Sequence, residues 1–545
     1  MALPPGIAQW KIDRFENAHL NFVQPLDKDQ SFDLHLKDPG WRGLSQLEQY
    51  NLCTRNLQWI IKTAIDRRLS VRAMGSGWSL SKCAVSEDAL INTKRYRHKF
   101  RLSDENFNQS FLDKGNRAED HLFLQCGNTI IEINEYLETK LNKSLRVSGG
   151  SNGQTVVGAF STNTHGAAFD YGALPEMIKG IHVVTDPHIH FYVERKGEQV
   201  TSPAFHAKIG ATYIADDDLF NALLVSFGSF GIIHGVLVEV EDKFLLEQKL
   251  RKVSFDDDMT KAITEGDFSG IEDHLKYKLS DKDHPLYHFE LALNPHDFKF
   301  NSVKSGLYLR VMHKVPYRDD YVRINRPTSG HTYGDDTLGL IQSVLDAIEA
   351  AAGFLNRLLI PKMVNLLFDT AYDRPEDAVG TIGETFNNTI FRGQLFSAAF
   401  AMDRKDVVEA IKLCLEINKK TKLAGVLALR FVKGTKATLG FTKWSNTVVL
   451  EIDGADARVN YKYCKKLAEA LEDAKIRYTL HWGKINKVLN ETRVRKMYGT
   501  ARLKKWKEQR SRIMSQEAQA IFNNQFLEKC GLDEYVEWEG PKVIA

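Results

Sequence analysis

The sequence predicts an α+β fold with more than one domain, and three observations lead to this prediction. The chain has 545 residues, which is more than one hydrophobic core usually organises. Its first part contains successive units of helix, strand and glycine-rich loop, and from Gly180 onward apolar and polar residues alternate as they do in strands. Beyond Asp242, strand-like runs near 287–293 and 307–311 are followed by helix-like runs such as 405–416.

The first unit is a helix, a short strand and a glycine-rich loop. Apolar residues at helical spacing predict a helix over 56–67, and residues 69–73 predict the strand. In the loop Gly75-Ser-Gly-Trp-Ser79, glycines let backbone amides approach an anion with no Cβ in the way. The loop lacks the Gly-Lys-Ser/Thr ending of a Walker loop, and Leu80 stands where a Rossmann fingerprint needs its third glycine. By itself the loop is weak evidence, because surface turns are rich in Gly and Ser.

The second unit repeats this order, with a strand over 121–126, a helix over 129–141 and a strand over 145–148. It leads into a longer segment, up to Gly166, that combines glycines with hydroxyl side chains. Few purely structural loops need so many of both. A third glycine turn, Phe227-Gly-Ser-Phe-Gly231, precedes an apolar strand-like run.

Together the three glycine segments predict a bound FAD, with its pyrophosphate held by backbone donors. The expected cofactor-binding residues are Arg72, Gly75, Ser76, Gly77, Trp78, Ser79, Gly149, Gly150, Ser151, Thr155, Gly158, Ser161, Thr162, Thr164, His165, Gly166, Gly231, Ile232 and Ile233.

In order and spacing, these segments resemble the FAD-binding domain of the vanillyl-alcohol oxidase superfamily in its p-cresol methylhydroxylase (PCMH)-type form. The resemblance runs from about Trp41 to Glu241. It resumes at His481-Trp-Gly-Lys484, which is similar to the flavin-facing motif of aldonolactone, alditol and type II sterol oxidases. It implies a two-subdomain PCMH-type FAD-binding domain plus an α+β substrate domain with an antiparallel sheet. The expected limits are a lead-in over 1–40, the FAD-binding domain over 41–242, the substrate domain over 243–480 and a C-terminal segment over 481–545 that returns to the FAD domain.

The resemblance also implies an activity: hydride transfer from a CH–OH group to flavin N5, with electrons passing to oxygen or another acceptor. The substrate would be a polyol, an aldonolactone or a bulkier cyclic alcohol. Lys484 is expected to place positive charge near the flavin N1–C2 region, where the reduced flavin carries its negative charge. The alternative for Lys484 is a solvated lysine.

The catalytic base is where the chain departs from the family pattern. The related oxidases carry Glu-x-Arg on a substrate-domain strand, whereas this chain has Ala428-Leu-Arg430. Arg430 either orients a substrate oxygen or is a buried strand arginine paired with a structural carboxylate. Because oxidation of an alcohol also requires a proton acceptor, the base is expected elsewhere, with His481 as a candidate, or the substrate is unusual.

Attachment of the flavin is a second departure. Many relatives bond the histidine of Gly-x-Gly-His-Ser to the flavin 8α-methyl group, and this chain has Trp78 there. Since indole nitrogen is a poor nucleophile, we expect noncovalent FAD with Trp78 near the dimethylbenzene edge, or a tryptophan that fills a core gap. His165 matches the histidine of a Thr-His-Gly pattern and is assigned to flavin contact or loop packing; no metal site is predicted.

Composition limits the remaining choices. A net charge of +3 indicates no nucleic-acid partner, and six cysteines without a Cys-x-x-Cys pair indicate free thiols. The N-terminus has neither the basic start nor the apolar run of a signal peptide, which favours a cytoplasmic protein. The apolar segment 338–368 predicts helices over a core, or alternatively an apolar substrate entrance or a peripheral membrane contact.

Two rival functions stay open. One is an atypical flavin oxidase of a biosynthetic pathway that acts on a phenolic or alkaloid-like compound, which the alanine at 428 makes plausible. The other is a non-catalytic FAD-binding module, in which no substrate reduces the bound flavin.

Overall fold

The fold is known from a computed structural model that describes residues 3–275, 285–322, 362, 364–365, 368, 377–386 and 395–540. Helices accompany two smaller sheets and one large antiparallel sheet, so the predicted α+β class is confirmed. Most of the apolar segment 338–368 lies outside the described residues. The helices are α1 (Gln46–Arg67), α2 (Gln109–Leu112), α3 (Ile130–Tyr136), α4 (Val156–Ser161), α5 (Pro203–Ile209), α6 (Asp217–Leu224), α7 (Asp257–Glu265), α8 (Ser269–Leu275), α9 (Ile382–Thr385), α10 (Val407–Lys420), α11 (Arg458–Asp473), α12 (Glu491–Tyr498), α13 (Thr500–Ile513), α14 (Gln516–Ile521) and α15 (Gln525–Cys530).

The first glycine loop directly follows a strand of the first sheet. Its strands and those of a neighbouring hairpin are β1 (Ile7–Trp10), β2 (Arg14–Glu16), β3 (Val23–Pro25), β4 (Ser31–Leu34), β5 (Val71–Met74) and β6 (Ala89–Asn92). The sheet order is β1-β4-β6-β5, and β2 pairs with β3. Helix α1 begins ten residues before the predicted start at Asn56, because Ser45 and Glu48 form a capping box there.

The second sheet contains the remaining strands of the predicted FAD-binding region. Its strands are β7 (Lys99–Arg101), β8 (His121–Gln125), β9 (Lys143–Leu145), β10 (Ile178–Val184), β11 (His190–Glu194), β12 (Thr212–Ala215) and β13 (Ile232–Asp242). The order is β12-β11-β10-β13-β8-β7, with β9 also paired to β13. Strand β9 ends at Leu145, so the predicted strand over 145–148 is wrong for its last three residues.

The third sheet contains eight antiparallel strands in the order β17-β14-β16-β15-β19-β20-β18-β21. They are β14 (Phe244–Lys252), β15 (Leu286–Leu293), β16 (Leu307–Pro316), β17 (Ala378–Gly380), β18 (Leu395–Asp403), β19 (Gly425–Lys433), β20 (Asn446–Ala455) and β21 (Tyr478–Leu480). The chain passes from the second to the third sheet between Asp242 and Phe244. The domain limits themselves stay a prediction.

After β21 the chain contacts the first two sheets and their loops. The indole nitrogen of Trp506 in α13 donates to the carbonyl of Val225 (3.3 Å), and the amide of Asn524 donates to the carbonyl of Val85 (2.6 Å). These contacts agree with a C-terminal segment that returns to the FAD domain. Among the helices of the described residues, none is both long and apolar enough to cross a membrane.

Candidate active site

The first two glycine segments lie against each other. A Cβ on Gly75 would stand 2.2 Å from Oγ1 of Thr155, so glycine is required by this close approach. Gly153 is equally constrained, since its Cβ would lie 2.0 Å from Cζ3 of Trp78. The indole of Trp78 thus covers the second segment, and the two loops that were assigned to one ligand are adjacent in space.

Both loops present donors that have no acceptor among the described residues. These are the backbone amides of Gly75, Ser76, Gly77, Gly149, Gly150 and Ser151. The buried hydroxyls of Ser76 and Ser161 and the guanidinium of Arg72 likewise have no hydrogen-bond partner in the described part of the chain. Because buried polar groups in proteins are almost always paired, this donor set fits an anionic, oxygen-rich ligand such as the pyrophosphate and ribitol of FAD.

The third glycine turn lies next to the second segment. The amide of Phe227 donates to the carbonyl of Ser161 (3.4 Å). Gly231 has φ 95°, and a Cβ there would meet a backbone carbonyl oxygen at 2.4 Å. Ile232 and Ile233 follow as buried residues at the start of β13.

The His-Trp-Gly-Lys segment crosses both loops. The amide of Leu80 donates to the carbonyl of Gly483 (2.8 Å), and a Cβ on Gly483 would lie 3.1 Å from Oγ1 of Thr162. The next residue, Lys484, is therefore held where the loops meet the third sheet.

On that sheet, Arg430 joins two buried carboxylates. Its Nε donates to Oε1 of Glu290 (3.0 Å), and its Nη1 lies 2.9 Å from Oε2 of Glu451. A Cβ on Gly150 would stand 3.5 Å from the same Nη1, so the second glycine segment lies over this face of the sheet. Arg430 is thus both a carboxylate-paired strand arginine and a neighbour of the predicted flavin loops.

Glu451 is the residue that sequence reasoning missed. It is fully buried, its Oε1 accepts a hydrogen bond from Nζ of Lys484, and Nε2 of His165 lies 3.4 Å from the same oxygen. In the antiparallel register Glu451 stands directly opposite Ala428. A carboxylate is therefore present one strand away from the position at which the Glu-x-Arg pattern led us to expect it. The signal was a lone Glu inside the apolar run Val448-Val-Leu-Glu-Ile452.

The three carboxylates of this face differ in acidity. Burial by itself raises the pKa of Glu451. The charges of Arg430 and Lys484 outweigh it and hold this pKa well below its ordinary value. The pKa of Glu290 is also lowered, because Arg430 and His288 outweigh its burial. Asp453 follows Glu451 on the same face of β20, where burial and the charge of Glu451 raise its pKa to about 6. Its Oδ1 accepts a hydrogen bond from the hydroxyl of Ser397 (2.6 Å).

The two histidines near this cluster are held neutral, since burial lowers the pKa of His165 and lowers that of His481 strongly. Nδ1 of His165 donates to the carbonyl of Gly166 (2.9 Å). Nδ1 of His481 accepts the amide hydrogen of Gly483 (3.0 Å), so that nitrogen is already occupied as an acceptor.

Comparisons with known proteins support the predicted FAD-binding domain. The family model of an FAD binding domain matches residues 53–188. A D-arabinono-1,4-lactone oxidase of Candida albicans is 23% identical over 209 residues, which are 37% of this chain and 33% of that protein. A protein of the same name from Debaryomyces hansenii is 24% identical over 191 residues, 34% of this chain and 30% of that protein. The matched part is thus about a third of the length of these relatives.

Solved structures show the same fold over most of the chain. A cholesterol oxidase from B. sterolicum superposes with a TM-score of 0.66 at 12% identity and covers 97% of this chain and 99% of its own. A chitooligosaccharide oxidase superposes with a TM-score of 0.54 at 9% identity and covers 89% of this chain and 90% of its own. At such identities the likeness concerns the fold alone.

Residues 53–188 match an FAD binding domain, and the predicted resemblance to the vanillyl-alcohol oxidase superfamily in its PCMH-type form is confirmed. FAD is the cofactor. Noncovalent attachment and the individual site residues stay predictions.

Proposed function

We propose that the chain is an FAD-linked oxidoreductase that oxidises a CH–OH group of an alcohol. The carrying observation is the cluster of Arg430 and Lys484 around the buried carboxylate of Glu451, which lies where both glycine segments meet the third sheet. Support also comes from the names of the similar proteins, which are a lactone oxidase, a cholesterol oxidase and a chitooligosaccharide oxidase. When bound, FAD supplies the two-electron acceptor for the hydride at its N5 position, and oxygen or another acceptor takes the electrons onward.

The cations of the cluster would act on the oxygen and on the cofactor. Arg430 is held rigidly by its two carboxylates, so its planar donors are preorganised to orient the substrate oxygen. Lys484 supplies positive charge next to the glycine segments, as expected from the His-Trp-Gly-Lys resemblance. Glu451 positions both cations and supplies the carboxylate that pairs with Lys484 and, together with Glu290, with Arg430.

Asp453 is the proton acceptor that this geometry favours. Glu290 and Glu451 are committed to cations and are weak bases, whereas the pKa of Asp453 is about 6 and therefore suits proton transfer near neutral pH. Asp453 is also partly exposed, in contrast to His481. In this proposal Asp453 takes the hydroxyl proton of the substrate while the hydride leaves its carbon.

The substrate class that the sheet supports is a bulky cyclic alcohol rather than a polyol. Ala428 lies opposite Ala292 across β19 and β15, so two small side chains stand beside the charged cluster. Ala292 in turn packs with Leu250, Tyr308 and Phe368. An apolar ring system would have contacts there, next to the charged cluster that would hold its hydroxyl group.

The proposal is tested by flavin reduction in holoenzyme variants. Anaerobic mixing with a panel of cyclic alcohols, polyols and aldonolactones is followed by loss of the visible flavin absorbance. We expect Lys484→Met, Arg430→Ala and Asp453→Asn to reduce the flavin at least about a hundredfold more slowly than the wild type. Asp473→Asn, an exposed carboxylate on α11, is the matched control and should behave as the wild type.

Retained reduction and turnover in both Lys484→Met and Arg430→Ala would remove the proposed site. Bound flavin that none of the alcohols reduces in the wild type would favour the non-catalytic module. Preferential reduction by phenolic or alkaloid-like compounds would favour the biosynthetic oxidase instead.

A further inference from the structure

We infer that Arg72 and Arg510 form a buried pair of cations that binds the pyrophosphate of FAD, so that the C-terminal segment contributes directly to holding the cofactor. Arg72 precedes the first glycine loop on β5, whereas Arg510 lies in α13. The inference concerns cofactor retention and is independent of which substrate is oxidised.

The guanidinium group of Arg72 has no hydrogen-bond acceptor among the residues that the structure describes. It is 0% exposed, and within the described part of the chain none of its Nε, Nη1 and Nη2 atoms has a hydrogen-bond partner. Cys83 and Glu87 lie near enough to favour its charge, yet neither bonds to it. Burial lowers the pKa of Arg72 to about 10, so the side chain is still protonated at neutral pH. An unpaired buried charge of this kind is strongly unfavourable unless an anion accompanies it.

Arg510 approaches the same place from the other side. Its Nε donates to the carbonyl of Ser229 (2.8 Å) and its Nη2 to the carbonyl of Gln519 (2.9 Å), but Nη1 is unpartnered among the described residues. Arg72 lies against the neighbouring Gly228, whose Cβ would stand 3.4 Å from Cδ of Arg72. The two arginines therefore flank one turn. Burial, and then repulsion by the charge of Arg72, lower the pKa of Arg510 to about 9.

The position of the pair points to a phosphate-bearing anion at the first loop. Arg72 lies three residues before Gly75, whose amide is unpartnered in the described protein. Ser79 of the same loop has its hydroxyl 3.5 Å from the sulfur of Cys83, the neighbour of Arg72. Two planar guanidinium groups and a run of backbone amides match a pyrophosphate, which offers several oxygens and two negative charges.

The first experiment uses the wild-type protein. Inorganic pyrophosphate should raise the melting temperature of flavin-free protein and compete with FAD for binding, and FAD should bind much more tightly than riboflavin. Free inorganic phosphate that binds equally well with FAD already in place would instead show a separate anion site and overturn the assignment. Pyrophosphate that neither stabilises the protein nor competes with FAD would also overturn it.

The second experiment removes the charge of Arg510. We expect Arg510→Gln to release FAD about tenfold to a hundredfold faster than the wild type. The release rate of Arg510→Lys should lie between the rates of the wild type and Arg510→Gln. Riboflavin affinity should stay unchanged in both variants, which a general loss of structure would not allow. The control is Lys504→Gln, which removes one exposed positive charge from the same helix. Wild-type FAD retention in a folded Arg510→Gln protein would refute the inference.

Discussion

Glu451 stands directly opposite Ala428 across the paired strands β20 and β19, and its carboxylate bridges Arg430 and Lys484. Residues directly opposite in an antiparallel pair have Cβ atoms about 5 Å apart. A carboxylate moved by one strand thus still reaches the arginine that lies two residues beyond Ala428. We therefore propose that the departure from the Glu-x-Arg pattern is a relocation of the carboxylate within the candidate site.

The relocation predicts a rescue. Glu451→Ala should lower kcat/KM by about a hundredfold or more, because Lys484 and Arg430 lose the buried carboxylate that positions both of them. Adding Ala428→Glu to that variant should raise kcat/KM at least about tenfold above the value of Glu451→Ala alone. The measurement is steady-state kinetics on the best alcohol of the panel. Glu451→Ala with unchanged kinetics, or a double variant no better than the single one, would contradict the relocation.

Asp453 predicts a pH dependence. The rate of flavin reduction should rise with pH through about 6, because only the ionised carboxylate accepts a proton. Asp453→Asn should abolish this rise together with most of the activity. The check is a pH profile of single-turnover reduction in both proteins. An unchanged profile in the variant would assign the titration to another group.

The same group predicts a change in stability. Because folding raises the pKa of Asp453 from 3.8 to about 6, the folded protein binds the extra proton between these values, and the free energy of unfolding falls as pH rises through this window. At neutral pH, Asp453→Asn should therefore stabilise the protein by about 1 to 3 kcal/mol. Denaturant unfolding at pH 4 and pH 8 measures the difference in free energy of unfolding between the variant and the wild type. A difference that is equal at both pH values would speak against the raised pKa.

Trp78 predicts how the flavin is attached. After denaturation with acid, the yellow chromophore should leave the pellet and appear in the supernatant as FAD, since indole nitrogen forms no bond to the 8α-methyl group. Absorbance spectra of both fractions decide the question. Flavin that stays with the pellet would show covalent attachment at another residue.

The packing of Trp78 predicts an intolerant glycine. Gly153→Ala should lower the free energy of unfolding by about 1 to 3 kcal/mol, because its Cβ would overlap the indole. Gly197→Ala is the matched control, since a Cβ at Gly197 meets no atom within 4 Å and should change stability by less than about 0.5 kcal/mol. Equal unfolding midpoints for the two variants would show that the second segment moves away from Trp78 without cost.

Much of the flavin-binding half was predictable because its signals are local. Glycine and hydroxyl patterns report backbone freedom and donors within one segment, so they predicted that the loops around Gly75 and Gly149 bind the flavin. The start of α1 was not predicted correctly. The helix begins at Gln46 because of a capping box that the helical periodicity did not reveal. The third sheet was predicted only in part, since its strands were found singly and without their order.

By itself, the sequence determined the α+β class and the resemblance to an FAD-binding family. It also predicted the flavin loops and the roles of Arg430 and Lys484, and it placed Ala428 where the family pattern has a glutamate. Only the tertiary structure decided that Glu451 supplies a carboxylate in its place, because that depends on the register between two strands. The same holds for the acidity of Asp453 and for the approach of Arg510 to the turn beside Arg72. Burial and charge pairing are properties of segments that meet in space, and spacing along one chain carries no information about them.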